Sequence, residues 1–166
     1  MPCRMATCCI SGSRTEMAEL LHYEDFREGQ SFDLGTYHVT REEIIAFATE
    51  FDPQPFHLDD AAAKSSVLGG LCASGWHSCA ILMRMMCNGY LGRAAGMGSN
   101  GLDEVKWLKP VYAGETLSGA MTVLSRRVSA KRPEMGILKC RWDLFNTAGE
   151  KTVEQTGVNF MRVRRP

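Results

Sequence analysis

The sequence lacks the features that mark proteins which bind nucleic acid or span a membrane. Its 19 Lys and Arg residues are balanced by 19 Asp and Glu residues, so no basic surplus favours nucleic acid or an anionic membrane surface. No apolar run in the chain approaches the roughly 20 residues that cross a bilayer. No segment repeats internally, so the 166 residues predict one domain that is large enough to bury its own core.

Cysteine is present, but its pattern favours neither a metal site nor a disulfide framework. The seven cysteines include no CxxC pair, and Cys8 and Cys9 are adjacent, a spacing that ordinary metal sites do not use. We therefore expect reduced and mostly buried thiols, as in a cytoplasmic protein, and no bound metal.

The N-terminal residues differ from the rest of the chain. Residues 1–16 show no hydrophobic periodicity and no long apolar core of a signal peptide, while Arg4 and Arg14 leave a short organelle-targeting segment open. We predict that residues 1–20 are a disordered extension and that residues 21–166 form the single domain.

The remaining pattern predicts an α+β fold. A strand is expected over 32–39, and a capping box formed by Thr40 and Glu43 begins a helix that Pro53 ends. A short helix over 58–66 precedes a nearly all-apolar helix over 75–91, which such a composition predicts to be buried on most sides. Strands follow over 105–111, 116–128, 136–146 and 151–163, the last two joined by a turn at 147–150. We expect an antiparallel sheet wrapped around the central helix, with open edges that favour a homodimer or larger homo-oligomer.

The segment Asp52-Pro53-Gln54-Pro55-Phe56-His57 carries the most specific chemistry in the chain. It places one carboxylic acid and one imidazole five residues apart, and the two prolines restrict the backbone to a bend. An Asp and a His that face one small volume can take a proton from water and give one to carbon. That is the chemistry of hydrating or dehydrating a double bond.

The order and spacing of three motifs resemble the MaoC-like dehydratase and (R)-specific enoyl-CoA hydratase family. The first is the segment above, continued through Leu58-Asp59, and the second is Ser74-Gly75, with Gly75 eighteen residues after His57. The third is the stretch Trp107-Leu108-Lys109-Pro110-Val111, followed by Gly114-Glu115. The resemblance covers residues 23–164 and implies a hot-dog fold.

The resemblance also implies a function and a site. The expected activity is a hydro-lyase that adds water to a trans-2-enoyl-CoA thioester, or removes it from the (R)-3-hydroxyacyl form. We expect Asp52 and His57 to be catalytic, with His57 as the base on water and Asp52 as the proton donor to C2, although the reverse assignment stays open. An apolar pocket formed with Phe51 and Phe56 is expected to raise the pKa of Asp52.

The other expected site residues bind rather than react. Gly75 is the first residue of the central helix, and its backbone N–H is expected to donate a hydrogen bond to the negatively charged thioester oxygen. Phe56 and Met83 are the candidates for lining the acyl pocket, while His77 is expected to be a packed, hydrogen-bonded residue. No cofactor is expected, since coenzyme A enters only as part of the substrate.

Three positions depart from the family pattern, and three other functions stay open. Gln54 stands where the family has Asn, Ser74 stands where it has His, and Met83 stands where some members carry a hydroxyl on the central helix. The alternatives are a dehydratase acting on a carrier-protein or a branched or carboxylated thioester, a non-catalytic acyl-CoA-binding module, and a thioesterase. Retention of both Asp52 and His57 argues against the binding module.

Overall fold

The computed structural model describes residues 20–164, so nearly all of the extension expected over residues 1–20 lies outside the described chain. One strand comes first, four α-helices follow it in succession, and the other five strands all come after the last α-helix. The helices are α1 (Arg41–Phe51), α2 (Pro55–Leu58), α3 (Asp60–Ser65) and α4 (Gly75–Gly89). The strands are β1 (Ser31–His38), β2 (Gly96–Gly98), β3 (Leu102–Trp107), β4 (Thr116–Val128), β5 (Met135–Phe145) and β6 (Lys151–Arg162).

The six strands form one antiparallel sheet, which confirms the predicted α+β architecture. The strand order is β1-β4-β5-β6-β2, and β3 pairs with the other half of β6. Long β4, β5 and β6 make the centre, and the hairpin between β5 and β6 turns at Gly149, whose φ is +75°. The largest fully buried side chains include Trp142, Tyr90, Phe26, Ile44, Leu82 and Met85, so the core lies between the sheet and the helices.

Most element boundaries agree with the sequence, and the differences are local. The capping box of Thr40 and Glu43 begins α1 as predicted. The strand expected over 105–111 instead runs over Leu102–Trp107, and the glycine-rich stretch before it contains the short strand β2. The rigid bend expected before His57 continues into the one-turn helix α2, because Pro55 at its first position has the φ that a helix needs.

The central helix α4 is less enclosed than its composition predicts. Its buried face carries Ile81, Leu82, Met85 and Met86, but Trp76 and Met83 are 61% and 50% exposed. The prediction of burial on most sides is therefore wrong for the single chain. The helix packs one face on the sheet and leaves an apolar face open.

Three further features of the described residues bear on the sequence predictions. Cys72 and Cys140 are buried free thiols, whereas the free thiol Cys87 is exposed, so burial is not general. Within residues 20–164 no cluster of His, Cys, Asp or Glu side chains is arranged to hold a metal ion. No helix in that range is long and apolar enough to cross a membrane.

Candidate active site

Asp52 and His57 meet because the chain turns sharply between α1 and α2. Asp52 is the C-cap of α1, where its N–H still bonds to the Ala48 carbonyl at 2.9 Å, and Pro53 cannot continue the helix. His57 then lies within α2, so that Asp52 Oδ2 and His57 Nε2 are 3.6 Å apart. The predicted pair of acid and imidazole therefore faces one volume.

The ring of His57 is fixed by its other nitrogen. His57 is buried, and its Nδ1 lies 2.8 Å from the carbonyl oxygen of Cys72. A carbonyl only accepts hydrogen bonds, so Nδ1 carries the hydrogen and the neutral ring presents the Nε2 lone pair towards Asp52. The Phe56 ring packs edge-on against the imidazole, with ring centroids 4.6 Å apart.

Two side chains donate hydrogen bonds to the Asp52 carboxylate, one to each oxygen. The Ser74 hydroxyl donates to Oδ2 at 2.6 Å, and the Gln54 amide donates to Oδ1 at 2.7 Å. These bonds, the Ser74 bond first, together with the nearby His57, hold the pKa of Asp52 below its ordinary value of 3.8.

The predicted direction for Asp52 was therefore wrong. Burial does act to raise the pKa of Asp52, but the hydrogen bonds to the charged form outweigh it. Phe51, expected to help make an apolar surrounding, points away and is 65% exposed. Asp52 is a carboxylate at neutral pH.

Gly75 opens α4 beside this pair, and its lack of a side chain has a visible cause. The Trp107 indole N–H donates to the Gly75 carbonyl at 2.9 Å, and a Cβ at position 75 would lie 2.7 Å from the indole ring. Gly75 is also the first residue of the helix, where backbone N–H groups have no acceptor within the helix. Position 75 therefore combines close packing against the Trp107 indole with a backbone N–H that has no acceptor within the helix.

A cavity of about 710 Å³ contains the pair and Gly75. Polar atoms of Asp52, His57 and Ser74 line one part of it, and most of the remaining lining is apolar. The apolar lining includes Phe56, Val67, Leu68, Trp76, Trp107 and Leu108. A pocket of this composition suits an acyl chain next to a small polar reacting group.

The structure brings Phe56 into this cavity but not Met83. Met83 lies eight residues, about 12 Å, beyond Gly75 along the helix. It lines a separate cavity of about 190 Å³ with Leu91 and Phe160. The physical reason is distance along α4, because only its first turn reaches the pair.

His77 also lies outside the large cavity, although it is in the first turn of α4. Its ring is buried and stacks on Phe47, with centroids 4.6 Å apart. Burial lowers the pKa of His77, and Glu43 opposes that shift. It is packed as predicted, but its Nδ1 has no hydrogen-bond partner within residues 20–164.

Sequence reasoning missed the donors to Asp52 and the tryptophan walls. Ser74 precedes the first residue of a helix, which is the typical N-cap signal, but nothing local indicates that its hydroxyl also meets Asp52, 22 residues earlier. Trp107 belongs to the motif quoted for the resemblance, yet its contact with Gly75 spans 32 residues.

Comparisons with known proteins agree with this fold. The family model for the MaoC like domain matches residues 25–139. The crystal structure of the MaoC-like dehydratase from Rhodospirillum rubrum is 42% identical, covers 88% of this chain and 99% of its own, and has a TM-score of 0.82. The uncharacterized protein YdeM of Bacillus subtilis strain 168 is 31% identical over 132 residues, which are 79% of this chain and 92% of that protein.

A more distant structure supports the fold alone. The R-hydratase PhaJ1 from Pseudomonas aeruginosa is 22% identical, covers 88% of each chain and has a TM-score of 0.67. These likenesses confirm the hot-dog fold that the sequence predicts, with a six-stranded antiparallel sheet and α4 packed against it.

Proposed function

The chain belongs to the MaoC-like domain family, and from that membership we propose that it is a hydro-lyase acting on an enoyl thioester. The reaction is addition of water to a trans-2-enoyl-CoA, or its removal from the (R)-3-hydroxyacyl-CoA. One observation carries the proposal: Asp52 Oδ2 and His57 Nε2 lie 3.6 Å apart in a largely apolar cavity. A water about 2.8 Å from each atom can hydrogen bond to both.

The proton balance assigns roles to the pair. His57 Nε2 takes a proton from the water, because imidazole is more basic than a carboxylate, while the water oxygen bonds to C3 of the substrate. The π electrons move towards the thioester oxygen, and the His57 imidazolium then returns the proton to C2. Since Asp52 is already ionised, it orients the water and stabilises the imidazolium rather than donating a proton of its own.

The start of α4 supplies the third part of the mechanism. Negative charge develops on the thioester oxygen, and the Gly75 N–H donates a hydrogen bond to it; the support is that Gly75 lines the cavity and begins α4, at the positive end of the helix dipole. Such a donor contributes about 3 kcal/mol to the transition state in other enzymes. The proposed reaction uses no cofactor, and coenzyme A is part of the substrate.

The deciding measurement is the loss of enoyl absorbance when the protein is mixed with crotonyl-CoA, with product chirality read by a stereospecific dehydrogenase. We expect turnover that His57→Ala removes. Lack of turnover with CoA thioesters of short and medium chain length contradicts the proposal, and a parallel assay with a carrier-protein thioester tests that alternative. Release of free thiol without hydration identifies a thioesterase.

Binding without turnover identifies the remaining alternative, an acyl-CoA-binding module. Saturable binding of crotonyl-CoA by calorimetry, with no change in absorbance and no thiol release, is its signature. The inward placement of two titratable side chains on one volume favours the enzyme, because a binding module has no need of a paired base and carboxylate.

We also propose that the protein is a cytoplasmic homodimer or larger homo-oligomer. The support is the open apolar face of α4, on which Trp76 and Met83 are 61% and 50% exposed. Light scattering is expected to give at least twice the monomer mass. Met83→Glu should lower that mass, while Val128→Glu, at the end of β4, serves as a matched change of an exposed apolar residue. A monomeric wild-type protein contradicts this proposal.

A further inference from the structure

Two of the three positions that depart from the family pattern contact the same carboxylate, whereas the third, Met83, lines a separate cavity. Gln54 bonds to one oxygen of Asp52 and Ser74 bonds to the other, at 2.7 and 2.6 Å. The Ser74 bond goes to Oδ2, the oxygen that also faces His57. With a donor on each oxygen, the carboxylate is fixed in rotation as well as in position.

We propose that Ser74 is a positioning residue which, assisted by Gln54, holds Asp52 oriented towards the water that His57 deprotonates. This inference rests on the proposed hydration, but its structural half concerns only the three side chains around Asp52. It assigns Ser74 an action through Asp52 and requires no contact between Ser74 and substrate.

The hydrogen count at Ser74 leaves one arrangement. A serine hydroxyl has a single hydrogen, and the Trp76 backbone N–H already points at its oxygen from 3.3 Å. The oxygen therefore accepts from Trp76, and the hydrogen is donated to Asp52. An N–H bonded to the oxygen polarises the hydroxyl and makes it a stronger donor.

The helix ends explain why the carboxylate needs such a partner. Asp52 is the C-cap of α1, which is the negative end of that helix dipole and disfavours a carboxylate. Ser74 is the N-cap of the 15-residue α4, which is the positive end of a longer helix. The Ser74 hydroxyl links the two helix ends. Asp52 lies at the unfavourable C-terminal end of α1, but its carboxylate is hydrogen-bonded to the favourable N-terminal end of α4.

Gln54 contributes through its length. It is the N-cap of α2, yet its side chain makes no capping hydrogen bond to that helix. Asn at an N-cap typically bonds to the N–H groups of the first turn. The longer glutamine side chain instead reaches back to Oδ1 of Asp52. At this position the side chain of Gln54 therefore serves as a donor to the carboxylate and not as an acceptor for the first turn of α2.

The test measures the protonation of Asp52 directly as well as the rate. Selective carbon-13 labelling of aspartate, with the Asp52 signal assigned through Asp52→Asn, gives a titration curve by NMR. Loss of one hydrogen bond to a charged group in Ser74→Ala should lower kcat about 10- to 100-fold with little change in KM. It should also move the Asp52 titration to higher pH. Ser74→Thr keeps the hydroxyl and should restore both.

A matched control separates positioning from helix capping. Thr40 is a hydroxyl N-cap as well, accepting from the Glu43 N–H at 3.2 Å, but it does not touch the Asp52 side chain. Thr40→Ala should lower Tm as Ser74→Ala does, with the Asp52 titration unmoved. Gln54→Ala alters a more exposed side chain, so it tests the second donor if Ser74→Ala proves unstable.

The outcomes distinguish this inference from the proposed function. A Ser74→Ala or Gln54→Ala protein that is folded and shows the wild-type Asp52 titration overturns the positioning role, whatever its rate. A wild-type protein without hydratase activity overturns the proposed function. In that case, a shift of the Asp52 titration to higher pH in Ser74→Ala still supports the inference that Ser74 positions Asp52.

Discussion

The two ends of α4 carry polar clusters that are built alike and serve opposite purposes. At the N-terminal end, the site cluster comprises Asp52, His57, Gln54 and Ser74, with two donors on the carboxylate of Asp52. At the other end, the core cluster comprises Tyr90, Trp142 and Asn159. Its Tyr90 hydroxyl accepts hydrogen bonds from the Trp142 indole N–H at 3.0 Å and from the Asn159 amide at 2.7 Å.

The difference lies in what surrounds each acceptor. Tyr90, Trp142 and Asn159 are buried in the core, and burial raises the pKa of Tyr90 despite its two donors, so its phenol stays neutral. The Asp52 side chain is 19% exposed, lines the cavity, and has its pKa lowered by its two donors. The same number of hydrogen bonds therefore gives a sealed structural contact in one place and an ionised group facing a cavity in the other.

The largest expected effect separates the two clusters by activity. Asp52→Asn keeps the shape of the side chain but removes the charge that orients the water and stabilises the imidazolium. We expect kcat/KM for crotonyl-CoA hydration to fall about 10²- to 10⁴-fold, the range typical of groups in acid–base catalysis, with the fold retained. A variant with wild-type kcat/KM shows that Asp52 is only a helix cap.

The next effect is on stability rather than on activity. Tyr90→Phe leaves the Trp142 N–H and the Asn159 amide buried without their acceptor. We expect the free energy of unfolding, measured with urea, to fall by about 1–3 kcal/mol while kcat/KM stays near wild type. Tyr37→Phe is the control, because its hydroxyl is only half-buried and donates to Glu43. Equal losses in both variants contradict a special role for the core cluster.

The smallest effect is the dependence of stability on pH, which should differ in sign between the clusters. The folded pKa of Asp52 is lowered from 3.8, so its stabilisation is present above pH 3.8 and is lost as the pH falls through the folded value. The folded pKa of Tyr90 is raised from 10.0, so its contribution is present below pH 10 and is lost as the pH rises.

Two variants test whether Asp52 and Tyr90 cause the losses of stability at acid and alkaline pH. Asp52→Asn should flatten the loss of unfolding free energy on the acid side, and Tyr90→Phe should flatten it on the alkaline side. Urea titrations from about pH 5 downwards and from about pH 9 upwards measure both losses. A flattening on the wrong side, or on neither side, contradicts the assigned protonation states.

The fold was largely predictable because its signals are local. The capping box at Thr40 and Glu43, the period-two pattern of β4 to β6 and the helix stop at Pro53 each depend on a few neighbouring residues. The pairing of Asp52 with His57 is equally local, being set by two prolines within five residues.

What failed depends on contacts between distant parts of the chain. The pKa direction of Asp52 follows from Ser74, which only the packing of α4 against α1 brings near. The open face of α4 was equally hidden, because an apolar helix has the same composition whether a sheet or another surface covers it. The placement of Met83 required knowing which turn of the helix reaches the cavity.

The contact of Trp107 with Gly75 makes one wall of the cavity part of the sheet edge. Trp107 is the last residue of β3, whose strand pairing within residues 20–164 is with β6. Edge strands open by local unfolding more readily than central strands do. Since the indole is attached to β3, we expect detachment of this strand to withdraw it from the first turn of α4 and to widen the cavity. Amide hydrogen exchange along β3 would measure how often the strand detaches.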